Sequence, residues 1–187
     1  MKSGKSNQII ITHYNYLEQG KDCLVFSSSV DTRSGHKLVK TRTGLEVECE
    51  YIDDNVFEKV RDYVEDSKLN KRSPVYAVLV DEAQFLSKQD VINLSKIVDI
   101  LNIPVICYGL KSDFRNELFE GSKALLELSD KLEEIKTICH YCNKKATLNM
   151  RLLDNKPINK GESIQVGDEE YQPVCRKCYT QHLELVE

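Results

Sequence analysis

Two close cysteine pairs are the strongest chemical signal in this chain: Cys139 and Cys142 in CHYC, and Cys175 and Cys178 in CRKC. Each pair can present two thiolates to one ion, and the pairs together complete a tetrahedron, the arrangement of structural zinc sites. His140 is a further candidate ligand, but four sulfurs already fill a closed site and leave no position open for catalysis. The competing reading is two unrelated redox or core pairs. The 32 intervening residues would form a long loop tied at its base by the metal. Lys144, Lys145 and Arg151 there are offset by Asp154, Glu162 and Asp168-Glu169-Glu170, which argues against a polyanion-binding ribbon.

A second group of residues suits phosphate chemistry. Gly4-Lys5-Ser6 forms the latter half of G-x-x-x-x-G-K-[ST], a loop whose backbone amides cradle phosphates while the lysine and hydroxyl reach them and Mg²⁺. Alone these three residues are weak. Their support is Asp81, which ends an apolar run, because a strand-end carboxylate commonly stands beside the Mg²⁺ of such a loop. Glu82 follows directly and can accept a proton from a hydroxyl or from water. A water nucleophile would make an ATPase and a substrate hydroxyl a kinase; spacing does not choose between them.

These residues need a scaffold. Ile10, Tyr14 and Leu17 share one helical face, which predicts a helix over Asn7–Gln19 whose N-terminus can face phosphate. Asp22–Ser28 reads as a strand, Ser29–Leu45 as a polar loop, and Val56, Val60 and Val64 as a helix. Val75–Phe85 is the clearest strand, apolar on both faces. Ser87 with Asp90 resembles a helix cap, and Val91, Leu94, Val98 and Leu101 form the stripe behind it. Asn102-Ile103-Pro104 breaks that helix, Val105–Leu110 is a further strand, and Leu118, Leu125 and Leu128 mark another helix. Strands alternating with helices, and buried on both sides, predict an α/β fold with a parallel sheet covered by helices. After about Ile135 the character changes, so residues 1–136 are expected to form one domain and 137–187 a small zinc-binding one, joined through the charged stretch Asp130–Lys136.

Composition is consistent with this. With 187 residues, 41% hydrophobic and a net charge of -4, the chain has material for one medium domain plus an appendage and no marked affinity for polyanions. No apolar run reaches the ~20 residues of a membrane span, and no signal-peptide core is present. A cytoplasmic, reduced setting follows as an expectation, in which Cys23 and Cys107 are small core residues.

In order along the chain, SGKS, DTRSG, TRTGL, VDEAQFL, IPVICYGLKSDFRNELFEGS, KTICHYC and GDEEYQPVCRKCY together resemble the zinc-containing (type II) thymidine kinases, from Met1 to about Tyr179. The resemblance implies a P-loop kinase domain and a zinc-anchored lasso that closes over the nucleoside. It implies ATP-dependent phosphorylation of the 5′-hydroxyl of thymidine or deoxyuridine in nucleotide salvage, and commonly a homotetramer inhibited by thymidine triphosphate. By position it implies Ser3, Gly4, Lys5, Ser6, Asp81 and Gln84 at the ATP and Mg²⁺ site, Glu82 as proton acceptor, and Asp31 and Arg33 near the reacting phosphate. Met1, Phe85, Leu110, Phe114 and Phe119 would line the base pocket, with Glu162, Ser163, Ile164, Gln165, Val166 and Tyr171 closing it from the lasso. Aromatic rings at 85, 114 and 119 suit a flat pyrimidine, although ordinary core packing would use them equally well. The family motif has a strand and Gly-Pro before the residue matched by Met1, and often Gly-Gly where this chain has Val166-Gly167. The first departure carries the expectation that the chain as written is weakly stable and weakly active.

Overall fold

The computed structural model describes residues 3–30, 37–41, 43–161, 163 and 170–184. Met1, Asp31, Arg33, Glu162, Ile164, Gln165 and Val166, all named above, lie outside the described residues.

The chain begins with α1 (Lys5–Leu17) and β1 (Asp22–Ser27), followed by a short hairpin, β2 (Leu38–Lys40) and β3 (Glu46–Glu48), and then β4 (Glu50–Tyr51). Next come α2 (Val56–Leu69), β5 (Val75–Asp81), one 3-10 turn at Ala83–Phe85, α3 (Lys88–Leu101), β6 (Val105–Cys107) and α4 (Glu120–Leu128). The remainder is β7 (Leu148–Leu153), β8 (Lys156–Ile158), β9 (Glu170–Val174) and α5 (Arg176–Glu184).

The expected parallel sheet is present, in the order β4-β1-β5-β6 with every pairing parallel. Side chains alternate across a strand, and the two cores follow that period of two. On β1 and β5, Leu24, Phe26, Val78 and Val80 face the core formed with α2, α3 and α4. Cys23, Val25, Ala77 and Leu79 face the other core, with Ile9 of α1 and Val39 of the hairpin. A fully buried valine, leucine, isoleucine or phenylalanine among them contributes about 1.5–3 kcal/mol relative to exposure. Both faces are therefore covered, as an apolar parallel strand requires.

The third helix starts where expected. The Ser87 hydroxyl accepts the backbone N–H of Asp90 and the Asp90 carboxylate accepts that of Ser87, a complete capping box. It ends at Asn102, in the left-handed conformation at φ 56°, ahead of Pro104.

Several expectations are corrected. The segment read as a loop over Ser29–Leu45 contributes a hairpin strand, β2, which pairs antiparallel with β3 and covers the α1 face. The run Val75–Phe85 is strand only to Asp81, and Val105–Leu110 only to Cys107. The helix predicted over Asn7–Gln19 is present as α1; it buries Ile9 and Ile10 and leaves Tyr14 and Leu17 exposed. The helix marked by Leu118, Leu125 and Leu128 is present as α4; it buries Gly121, Ser122 and Ala124, packs Leu125 against the core, and leaves Leu118 before it and Leu128 at its end exposed.

Residues beyond 136 have their own antiparallel sheet, β8-β7-β9, and a small core of Met150, Leu152, Val174 and Tyr179 with Cys139 and Cys175. The stretch 131–137 carries neither helix nor strand.

Candidate active site

Gly4-Lys5-Ser6, the candidate phosphate loop, and the acidic strand end come together at the carboxyl edge of the sheet. Gly4 stands at φ 80°, the left-handed region that glycine occupies without steric cost, and α1 starts immediately after it. Gly4, the N-cap residue, has no side chain with which to cap that helix end, and an uncapped helix N-terminus favours anions. Ser6, on the first turn of α1, donates its hydroxyl to Asp81 Oδ2 at 3.3 Å across 75 residues of sequence. Two hard oxygens side by side, with Lys5 near enough to act on the Asp81 charge, could hold a divalent cation carried by a phosphate ligand.

Asp81 is 5% exposed. Burial pushes its carboxyl up to about 6, and the neighbouring Glu82 charge adds to the rise. The Glu82 backbone N–H, Lys5 and Ser6 act in the opposite direction. A buried acid beside a basic loop is the electrostatic pattern of a working site.

Glu82 leaves the strand in the left-handed conformation, φ 49° and ψ 37°, a region that non-glycine residues occupy only when their surroundings hold them there. The next three residues form the 3-10 turn. Ala83 N–H donates to the Tyr108 carbonyl at 2.9 Å. Gln84, expected at the ATP site, is 1% exposed and engaged at both ends, with Glu82 and with the backbone of Leu110. Gly109 and Gly121 approach this turn so closely that no side chain would fit at either without displacing it.

Of the expected base-pocket residues, Phe85 and Phe119 pack edge to face with centroids 5.7 Å apart, beside the turn that carries Glu82. Phe114 is 1% exposed, with the Arg151 guanidinium 5.0 Å from its ring centroid. Tyr171 on β9 pairs in register with Arg151 on β7.

A polar network that the sequence reading missed joins the two halves of the chain. The Asp113 carboxylate is buried and accepts four donors: Arg115 N–H (2.9 Å), Glu117 N–H (3.0 Å), Arg115 Nε–H (2.9 Å) and the Ser163 hydroxyl (3.0 Å). Arg115 also reaches the Gly161 carbonyl at 3.4 Å, and Tyr179 donates its hydroxyl to the Phe114 carbonyl. The only sequence signal was an acid lying between Ser112 and Phe114 within the conspicuous block Asp81–Ser122.

The four paired cysteines converge, their sulfurs all within 4.8 Å of one another. Cys142 Sγ lies 3.7 Å from Cys175 Sγ and 3.7 Å from Cys178 Sγ. A tetrahedron with ~2.3 Å zinc–sulfur bonds has edges of about 3.8 Å, so the donor set fits. Cys178 N–H points at Cys175 Sγ at 3.5 Å, a contact that supports a thiolate. The groove of about 550 Å³ between Tyr16, Lys68 and Ile103 lies at the opposite, amino edge of the sheet and takes no part in this site.

The family model for thymidine kinase matches residues 1–179. The thymidine kinase of Lactococcus lactis is 52% identical over 180 residues, covering 96% of this chain and 92% of that protein. Thymidine kinases of Streptococcus pyogenes serotype M3 and Streptococcus gordonii are each 48% identical, covering 96% of this chain and 92% and 91% of theirs. Phosphate-loop residues facing an Asp-Glu strand end, an aromatic pair beside them and a four-sulfur cluster thus occur in a chain that matches these enzymes almost end to end, and it belongs to the thymidine kinase family.

Proposed function

We propose that this protein transfers the terminal phosphoryl group of ATP to the 5′-hydroxyl of thymidine, and of deoxyuridine, in deoxyribonucleoside salvage. The observation that carries this is the Ser6–Asp81 contact with Glu82 as the very next residue, held on a rigid turn beside Phe85 and Phe119. Such phosphoryl transfer asks the protein for positioning and charge neutralisation above all. Lys5 and the first amides of α1 hold the phosphates, with Ser3 and Gly4 shaping the approach. Ser6 and Asp81 offer oxygens to Mg²⁺, which when bound neutralises charge on the phosphates. Glu82 takes the proton from the 5′-hydroxyl as it attacks. Arg33 and Asp31 are assigned to the reacting phosphate by family resemblance.

The pyrimidine lies against Phe85, Phe119 and Leu110, with Phe114 beneath; Met1, residues 162–166 and Tyr171 are assigned to the nucleoside by family resemblance alone. Closure excludes water and so favours the nucleoside hydroxyl as acceptor. Cys139, Cys142, Cys175 and Cys178 hold one structural Zn²⁺ that keeps the lasso folded. A homotetramer in the cytoplasm, acting on nucleosides and on neither nucleic acid nor membranes, completes the reading. Among the described residues no helix is long and apolar enough to cross a membrane.

The test is formation of thymidine monophosphate from thymidine and radiolabelled ATP. Wild-type protein produces it, and Glu82→Gln lowers kcat by about 100-fold or more. ATP hydrolysis that ignores thymidine, or full turnover in Glu82→Gln, would refute the proposal.

A further inference from the structure

Gln84 is almost completely buried in a turn whose other business is to carry Glu82. Its side-chain amide has one oxygen and one NH₂ group, and the surroundings decide which way round they lie. The Leu110 backbone N–H can only donate, and it meets Gln84 Oε1 at 3.0 Å. The NH₂ group therefore faces the other way, onto Glu82 Oε2, at 2.5 Å. A carboxylate accepts hydrogen bonds and an amide NH₂ donates them, so the orientation satisfies both neighbours.

The enclosure leaves Gln84 little freedom. A Cβ on Gly109 would lie 3.0 Å from both Gln84 N and Gln84 Oε1, and one on Gly121 3.0 Å from Gln84 O. On the far side, the Leu110 carbonyl accepts the Ser122 hydroxyl of α4 at 2.6 Å. A continuous run of hydrogen bonds thus leads from the Glu82 carboxylate through Gln84 and Leu110 to the start of α4. The same segments carry Leu110 and Phe119 of the base pocket.

We infer that Gln84 is a positioning residue, which fixes the Glu82 carboxylate relative to the segment that receives the nucleoside. With both ends of its amide engaged inside the protein, it is not a phosphate or metal ligand. The inference rests on the reading of Glu82 as proton acceptor. A reacting group displaced by about 1 Å can lose up to ~100-fold in rate, so the effect belongs in turnover more than in affinity.

The experiment is a double-mutant cycle on the full chain with Gln84→Met and Glu82→Gln, measuring kcat, KM for thymidine and KM for ATP. Gln84→Met is expected to lower kcat ~10- to 100-fold with both KM values within about twofold of wild type. In the Glu82→Gln background it should cost no further turnover, because the carboxylate it positions is gone. If circular dichroism shows Gln84→Met unfolded, Gln84→Glu decides: it keeps the size and the acceptor for Leu110 and removes the NH₂ donor, and the same loss is expected. Unchanged kcat in a folded Gln84 variant, a rise confined to KM for ATP, or an equal loss with and without Glu82 would overturn the inference. Wild-type turnover in Glu82→Gln would instead overturn the reading beneath it.

Discussion

Gly121 lies in the first turn of α4, where theory for an open helix says that alanine should be better. Alanine is favoured over glycine by about 1 kcal/mol in a helix interior. Here a Cβ would stand 2.4 Å from the Ala83 carbonyl oxygen, 2.8 Å from that of Leu86 and 3.0 Å from that of Gln84. All three obstacles are backbone atoms, with no rotamer to swing aside. Relieving the clash means moving α4 away from the turn, and overpacking of this kind costs about 1–3 kcal/mol, occasionally more. Taking the upper part of that range against the propensity gain, Gly121→Ala should destabilise the protein by about 2 kcal/mol. For a chain of this size the melting temperature should fall by roughly 4–8 °C. Because the displaced turn carries Glu82 and Gln84, kcat should fall as well. Thermal melts and initial rates on the purified variant decide it. A Gly121→Ala protein as stable as wild type, or more so, would show that the close approach of α4 is not what holds the turn.

Two further predictions follow from the buried ionisable groups. The Asp81 carboxyl is raised from 3.8 to about 6 in the fold, worth about 3 kcal/mol, so the folded state holds that proton more tightly than the unfolded one. This cost is absent below about pH 4, grows as pH rises to about 6 and stands in full above that. In magnesium-free buffer without nucleotide, Asp81→Asn should therefore be more stable than wild type at pH 7–8, the advantage vanishing near pH 4; a constant or inverted difference would sink the assignment. As for the cysteines, metal analysis should find one zinc per chain, and a chelator should release it, unfold the Met150–Val174 core and make four thiols reactive. Cys23, Cys49 and Cys107 should stay silent in the native sheet, because burial pushes the first two up to about 11 and the third up to about 12. Seven reactive thiols before chelation would contradict the cluster.

What could be read from the chain alone depended on whether the signal was local. The Ser87-Asp90 cap, the two-sided apolarity of Val75–Asp81 and the C-x-x-C spacings are each contained in a few residues, and each reappears in the fold. The buried side of α1 was not legible, because Ile9, Ile10 and Ile11 offer three adjacent faces and only packing on β1 and β5 selects among them. At α4 the leucines marked the helix but not the face that packs: close approach to the turn demands small residues, and Gly121, Ser122 and Ala124 carry no hydrophobic signature. The β2–β3 hairpin is three residues per strand in a polar stretch, too short to show a period. Asp113 belongs to no pattern, since its donors come from both halves of the chain and from backbone amides.

The cysteine helix has a reach beyond its own small core. Tyr179 follows Cys178 directly, and its hydroxyl grips the Phe114 carbonyl in the segment that also presents Asp113 to Ser163. The boundary that the sequence suggests near residue 136 is therefore a poor place to cut and splice. A hybrid that borrowed residues 137–187 from a distant relative would inherit a four-cysteine cluster but lose the tyrosine's grip and the serine's partner, unless residues 112–117 travelled with it. For anyone recombining such enzymes, the exchangeable unit is discontinuous: one short loop from the first half together with the whole of the second.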